Sequence, residues 1–345
     1  MYPKLEINLN GIVQNAKLMK RMCKDNGIKL SLVTKVLVSD KKIVQTLVDN
    51  GITSICESRI QNFIDYKDIN VEKWLIREPM LSEISDVIKY SDVSLNSEIK
   101  TIKALNDEAS KQNKIHKVIL MYELGDLREG SNEEEINDLV EKCLKLKNIE
   151  LYGIGTNLSC YGGIMPSKEN MNELSKLVTN LESKFNIKFS VVSGGNSTSF
   201  EMLKSSDLPV TINNLRMGES VFLGNVPCIE KPIEEFSRNN FILKAQIVEI
   251  KEKPSVPRGI MGLSNSFGEV PTFKDKGIRR RALIALGKQD VSPKGLIPLD
   301  NKIEILDGSS DYIILDITES NYNYSVGDII GFNINYSVLL RAMRK

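Results

Sequence analysis

Leu30-Ser-Leu-Val-Thr-Lys35-Val-Leu-Val-Ser-Asp40 is the stretch whose reading decides the fold. Its apolar run, rich in Leu and Val, has the pattern of a strand buried on both faces, as in a parallel sheet. One lysine interrupts it. Burying an ammonium is costly, so the pKa of such a lysine falls and the side chain becomes a nucleophilic amine able to form an imine with a carbonyl. The competing reading is a strand-end lysine that snorkels its charge to water. The sequence on either side decides between them.

Downstream of this stretch helical and strand-like segments alternate. Helix 41–49 leads to strand 52–56, helix 60–66 to strand 73–76, a helix over 81–90 to strand 92–95, and helix 99–111 to strand 116–122. Helix 133–146 then leads to strand 151–155, helix 170–184 to strand 189–192, and a short helix over 200–204 to strand 210–213. Counted from Leu30, eight strands with intervening helices predict an α/β fold, a (β/α)8 TIM-type barrel. A doubly wound sheet is the alternative, but no G-x-G-x-x-G follows a first strand.

Upstream, Leu5-Glu-Ile-Asn-Leu9 alternates like a half-buried strand, and Asn10 caps a helix whose apolar positions (Ile12, Val13, Ala16, Met19, Met22) recur at helical spacing before Gly27 ends it. Beyond about 237 the pattern changes to short β-rich runs (241–250, 281–286, 303–306, 312–317, 328–334) separated by Gly, Pro, Asp and Asn. These predict a smaller all-β C-terminal domain. The expected division is a barrel over 1–232 and a β-domain over 233–345, with strand 5–9 assignable to either. The long connection 259–276 is of the kind that is functional or mobile.

Composition excludes several classes. The 345 residues carry 46 Lys and Arg against 45 Asp and Glu, a net charge of +1 that gives no field for nucleic acid or an anionic membrane. Five cysteines (Cys23, Cys56, Cys143, Cys160, Cys228) are odd in number and lack CxxC spacing, which points to a reducing, cytoplasmic setting rather than a disulfide framework. His116 is the only histidine, so a multi-histidine metal site is impossible and no metal is expected. Its place at the start of a strand reads as structural. The N-terminus has no apolar leader pattern and no run approaches membrane-spanning length.

Active sites of barrels lie at the carboxyl ends of the strands. Those ends read Lys35, Glu57, Arg77 and Glu78, Asn96, Arg128, Asn157, Ser193–Ser197 and Arg216. Ser193-Gly-Gly-Asn196-Ser197 offers backbone amides and a hydroxyl for a phosphate, and Arg216-Met-Gly218-Glu219-Ser220 adds amides in the other loop where barrels hold phosphate. Either Gly-rich turn alone is more often a plain turn. Together, opposite a buried lysine and with arginines placed around a ring, they describe a site for pyridoxal 5'-phosphate.

Leu5-Glu-Ile-Asn-Leu9 with Asn15, Val33-Thr-Lys35, Leu124-Gly-Asp-Leu-Arg128-Glu-Gly130, Gly153-Ile-Gly-Thr-Asn157, Gly195-Asn-Ser197, Leu215-Arg-Met-Gly218, Ile284-Ala-Leu-Gly-Lys288-Gln-Asp290 and Ser309-Ser-Asp311 occur here in an order and spacing that resemble the fold-type III pyridoxal phosphate enzymes, the alanine racemase superfamily, and within it the ornithine racemase branch. The resemblance implies that Lys35 is the Schiff-base lysine and one of two proton carriers. It implies that Arg216 faces the pyridine nitrogen, that Arg128 lies near the phenolic oxygen, and that Ser197 with the backbone of Gly218 and Glu219 contacts the phosphate. Asn157 stands where many relatives place a ring-stacking histidine. The resemblance also implies a homodimer whose β-domain completes the partner's site.

One departure matters. The family's second acid/base is a tyrosine, and Gly287-Lys288-Gln289-Asp290 occupies its place. Racemisation needs groups on both faces of a planar carbanion, so Lys288 is the first candidate and Cys160 the second; the bland alternatives are an interface salt-bridge lysine and a small buried thiol. Asp290, Asp311 and Glu78 are carboxylates available to a distal substrate ammonium. The activity implied is interconversion of L- and D-ornithine or a related basic amino acid by two-base proton transfer at Cα. The alternatives are another fold-type III reaction (D-amino-acid aldolase, dehydratase or decarboxylase) and a non-catalytic protein of pyridoxal phosphate homeostasis.

Overall fold

Strand β1 (Lys4–Ile7) gives way at once to a helix, Leu9–Asp25, and then to eight strands that close on themselves. In chain order these are β2 (Lys29–Val33), β3 (Ser54–Glu57), β4 (Glu72–Leu75), β5 (Val93–Asn96), β6 (His116–Met121), β7 (Ile149–Gly155), β8 (Val191–Ser193) and β9 (Asn214–Met217). All neighbours are parallel and β9 returns to β2, so the barrel is closed, as the alternation predicts. The chain is described from a computed structural model, over residues 1–344.

The barrel strands are short and mostly buried, and part of their packing is apolar. Val33, Cys56, Trp74, Val93, Leu95, Ile119, Met121 and Val191 form one buried cluster. Side-chain size is restricted where strands crowd: a Cβ on Gly153 of β7 would lie 2.2 Å from the Val191 carbonyl of β8, so only glycine fits. The covering helices are amphipathic, with Ile43, Val44 and Leu47 turned inward on one and Ile102, Leu105 and Ala109 on another.

Two expected strands differ in detail. The lysine stretch is strand only to Val33; Lys35–Leu37 is a 3-10 turn, followed by Val38 and Ser39 at φ of 43° and 66°. Val36 and Leu37 are buried in that turn, so their apolar character reflects packing and not pleating. Residues 210–213 form a turn as well, and β9 starts at Asn214. Val210 points to solvent, while the Asn213 side chain accepts from Val192 N at 2.8 Å and donates to Ser190 O at 3.1 Å, tying that turn to β8.

The chain divides into two compact units, Leu9–Asn240 and Met1–Asn8 with Phe241 onward. The division falls after Asn240 and not at 232, because the intervening residues pack on the barrel unit. Ile233 and Phe236 are buried, Asn15 Nδ2 donates to Ser237 O at 2.8 Å, and Asn240 Nδ2 donates to Phe222 O at 3.1 Å. A two-stranded ribbon, β10 (Asn225–Val226) with β11 (Lys231–Pro232), closes this unit.

The second unit is an antiparallel sheet of β12 (Phe241–Pro254), β13 (Ile278–Ile284), β14 (Leu296–Pro298), β15 (Glu304–Gly308), β16 (Ile313–Asp316) and β17 (Ile329–Ile334), in the order β14-β17-β12-β13-β16-β15. Strand β1 adds to β12, with Lys4 opposite Lys244, so it belongs to this unit. Strand β14 and the helix Tyr336–Ala342 lie outside the segments expected from sequence. No helix among the described residues is long and apolar enough to cross a membrane.

Candidate active site

Barrel closure sets β2 between β9 and β3, which brings the loops after these three strands side by side. Thr34 continues β2: its N–H donates to Cys56 O at 2.9 Å and its Oγ1 to Glu57 Oε1 at 2.6 Å. Lys35 follows and opens the 3-10 turn. Burial pushes the Lys35 ammonium below the usual lysine range and the Arg128 guanidinium adds to this, while Cys160, Glu57 and Glu129 oppose it. Glu57 is fully buried, with its other oxygen accepting from Asn62 Nδ2 at 2.7 Å. Burial pushes its carboxyl up to about 7 against those hydrogen bonds and the nearby lysine.

Arg216 lies in the next strand over, one residue before its end, and is buried. Its Nη1 donates to Ser193 Oγ at 2.5 Å and its Nη2 to Thr156 O at 2.7 Å. Ser193 Oγ donates on to Asn214 Oδ1 at 2.6 Å, and Asn214 Nδ2 to Ser31 Oγ at 2.9 Å. This chain of polar groups fixes the guanidinium, which remains a cation although burial lowers its pKa. The Ser193 hydroxyl therefore serves the arginine.

Where a phosphate cradle is expected, two backbone N–H groups converge on one hydroxyl. Ser197 Oγ accepts from Gly218 N at 3.1 Å and from Ser220 N at 3.2 Å. Gly218 sits where a Cβ would lie 2.7 Å from Val33 O, so the close approach of this loop to β2 requires glycine. Glu219 begins the helix Glu219–Leu223; burial pushes its carboxyl up to about 7, with Lys35 opposing. Asn196 ties loops together: Oδ1 accepts from Thr198 N at 2.9 Å, and Nδ2 donates to Asn157 Oδ1 at 3.1 Å and Leu158 O at 2.7 Å.

Sequence reading missed one residue of this mouth. Asp126 is buried, and its carboxylate accepts from Cys160 N and Tyr161 N at 3.1 Å each and from Gly162 N at 3.0 Å. It thereby fastens the loop carrying Cys160 to the loop carrying Arg128. The signal was a buried acid two residues before an arginine in a Gly-containing loop, which alone is indistinguishable from a turn residue. Arg128 pairs with Glu129, and Glu123 accepts from Arg128 N at 3.2 Å.

Lys35, Arg128, Asn157, Cys160, Ser193, Asn196, Ser197, Arg216, Gly218 and Glu219 all belong to the barrel unit; Lys288 belongs to the other. There Lys288 Nζ lies 2.5 Å from Glu269 and 2.9 Å from Asp307, and 4.6 Å from the centre of the Phe267 ring. Burial works to lower its pKa and the two carboxylates more than offset this, leaving it raised. Asp290 accepts from Gly287 N at 3.0 Å and Asp311 from Gln289 Nε2 at 3.1 Å, so both serve the same loop region. Glu78, in the barrel unit, is pushed up by burial, with Glu129 and Glu98 adding to it. His116 is buried against Ser94 Oγ at 2.8 Å and pushed down to about 3 by burial, hence neutral and structural.

A family model, alanine racemase N-terminal domain, matches residues 7–226. The chain belongs to the alanine racemase family. It is 45% identical over 322 residues to an ornithine racemase of Acetoanaerobium sticklandii, covering 93% of this chain and 91% of that one. It is 39% identical over 321 residues to a lysine racemase of Thermotoga maritima, covering 92% and 90%. Among solved structures, the alanine racemase of Clostridium difficile 630 in complex with cycloserine superposes with a TM-score of 0.73 at 18% identity, covering 99% of this chain and 94% of that one. A D-threonine aldolase from Filomicrobium marinum gives 0.77 at 12%, covering 99% and 89%. At such identities these structures speak to the fold alone: a barrel with a C-terminal β unit.

The buried polar atoms at this end of the barrel fit a polar ligand. Thr156 Oγ1 and Asn157 Nδ2 are buried there with no hydrogen-bond partner among the described residues. They lie beside the arginine and the amide cradle, a donor set suited to a phosphorylated aromatic ring.

Proposed function

We propose that this racemase interconverts the L and D forms of ornithine, or of a related basic amino acid, with pyridoxal 5'-phosphate held at the barrel mouth. Supporting it most directly is one observation: Lys35, with its ammonium destabilised by burial, follows β2, whose neighbour β9 carries Arg216 and leads into Gly218, where a Cβ would lie 2.7 Å from Val33 O. The likeness to ornithine and lysine racemases supports the basic substrate.

In this reading Lys35 would bind the cofactor through its amine, Ser197 and the amides of Gly218 and Glu219 would hold the phosphate, Arg216 would serve the ring nitrogen, and Arg128 and Asn157 would contact the ring. When bound, the cofactor supplies delocalisation for the electron pair left as the Cα–H bond breaks. Lys35 takes or returns the Cα proton on one face, burial having lowered its pKa and so favoured the neutral amine. A second group must act on the other face. Lys288 of the β unit of a second copy in a homodimer is that group, and its two carboxylates keep it charged and ready to donate. Cys160 is the alternative within the barrel unit.

The test is Cα deuterium exchange and chiral chromatography with ornithine, lysine, alanine and serine, alongside borohydride reduction and peptide mapping. Exchange with the basic amino acids and a pyridoxyl group on Lys35 are expected. Turnover of alanine or serine without ornithine or lysine refutes the substrate; no adduct on Lys35 refutes the cofactor.

A further inference from the structure

Glu57 is the most completely buried acid in the vicinity of Lys35, and nothing in the roles above uses it. A carboxyl leaves water only where hydrogen bonds or an opposite charge compensate. Its oxygens have two donors, and both lead to one place. Oε1 accepts from Thr34 Oγ1 at 2.6 Å. Oε2 accepts from Asn62 Nδ2 at 2.7 Å, and Asn62 Oδ1 in turn accepts from Ser39 Oγ at 2.9 Å. Thr34 and Ser39 bracket the turn that carries Lys35. Glu57 therefore grips that turn at both ends, once directly and once through Asn62.

The turn needs a grip. Val38 and Ser39 hold φ of 43° and 66°, and a β-branched residue rarely adopts the left-handed region. Such conformations persist where surrounding contacts over-determine them, commonly at functional sites. The same carboxyl is within electrostatic reach of the Lys35 ammonium. Other charged groups that reach Lys35 are Arg128, Glu129 and Cys160 from the loops after β6 and β7, and Glu219 from the loop after β9. Cys56 and Tyr66 face Glu57 from its own strand and from the end of the following helix.

We propose that Glu57 is the positioning residue for Lys35, clamping both ends of its strained turn and acting as the counter-charge to its ammonium. This deepens the reading of Lys35 as the reactive amine and rests on it. The carboxyl touches neither substrate nor cofactor. It acts by fixing where the amine stands and how readily it is protonated.

Two readouts on the full-length chain, freed of bound carbonyl compounds, test it. Graded acetylation across pH 6 to 10, followed by peptide mapping, gives the pH midpoint of Lys35 reactivity. Glu57→Gln keeps hydrogen-bonding groups but removes the charge, and the midpoint should fall by about one unit, a roughly tenfold gain in reactivity on the acid side. Hydrogen exchange over residues 34–40 reads the clamp: Glu57→Ala should accelerate it strongly, and Asn62→Ala, which frees only the Ser39 end, should do so with little change in midpoint. Should Glu57→Ala not fold, Asn62→Ala reads the clamp alone. An unchanged midpoint in Glu57→Gln overturns the counter-charge, and unchanged exchange in the clamp variants overturns the positioning. Neither readout requires cofactor or turnover, so failure of the racemase reading would leave these results standing and be seen separately.

Discussion

Replacing Asp126 by alanine removes the acceptor for three backbone amides at once, those of Cys160, Tyr161 and Gly162. Amides in a surface loop can turn to water instead, so each bond contributes less than is usual for a charged acceptor, about 1 kcal/mol. One further bond, Gly162 N to Asp126 O at 3.0 Å, survives the substitution. Opening of the 158–164 loop should therefore become easier by about 3 kcal/mol, a rise of about a hundredfold in its open population. Hydrogen exchange of the peptide spanning Cys160–Gly162 measures this directly, because locally opened states govern exchange there. Alkylation of Cys160 should quicken in parallel, while exchange in the β5 and β6 strands stays as it was. Asp126→Asn, which keeps one acceptor oxygen, should fall between. If the alanine variant exchanges within threefold of the parent at these amides, the carboxylate does not fasten the two loops and the account of this side of the mouth is wrong.

Glu57 and Glu219 both titrate near 7 when folded, against an ordinary glutamate value of 4.5. The folded chain therefore binds more protons than the unfolded one between these values, so stability is greatest below about pH 4.5 and declines as pH rises towards 7. For fully buried Glu57 the loss is about 3 kcal/mol, and denaturant unfolding at pH 5 and 7.5 should show a shallower decline in Glu57→Gln; parallel declines would refute this. Gly218→Ala would set a Cβ 2.7 Å from Val33 O, and a loss of about 2 kcal/mol in stability with at least tenfold weaker pyridoxal phosphate binding by fluorescence titration is expected. Lys288→Met should cut racemisation at least a hundredfold by chiral chromatography. Its unfolding midpoint should barely move, because Glu269 and Asp307 are nearly half-exposed and such pairs contribute little; retained activity would shift the second proton carrier to Cys160.

What was legible in the sequence was what the barrel's regularity imposes. Lys35 just after β2 and Arg216 in β9 could be placed at the barrel by counting strands. Local conformation within those ends was less legible. The apolar residues after Lys35 look like more strand, yet Val36 and Leu37 are buried in a turn, because burial rewards an apolar side chain in either conformation. Val210 reads as strand by type and points to solvent, since the turn holding it is fixed by the Asn213 side chain. Asp126 was missed because its partners are backbone amides some 35 residues away, and amides carry no sequence signature. The reach of 233–240 back onto the barrel was hidden for the same reason: Asn15 and Ser237 meet only once the barrel is closed.

Strand β1 pairs with β12, whose matching residues, Phe241–Lys244, come more than two hundred positions later. A chain emerging from the ribosome therefore exposes an unpaired β-edge for as long as the whole barrel takes to be made. Short length and the alternation of Lys4 and Glu6 with apolar neighbours make that edge a poor template for aggregation. The barrel can meanwhile close from contacts internal to Leu9–Asn240, and only then does the tail return to enclose β1. Of these segments, β1 is thus made first and its partner β12 last, with the barrel unit between them.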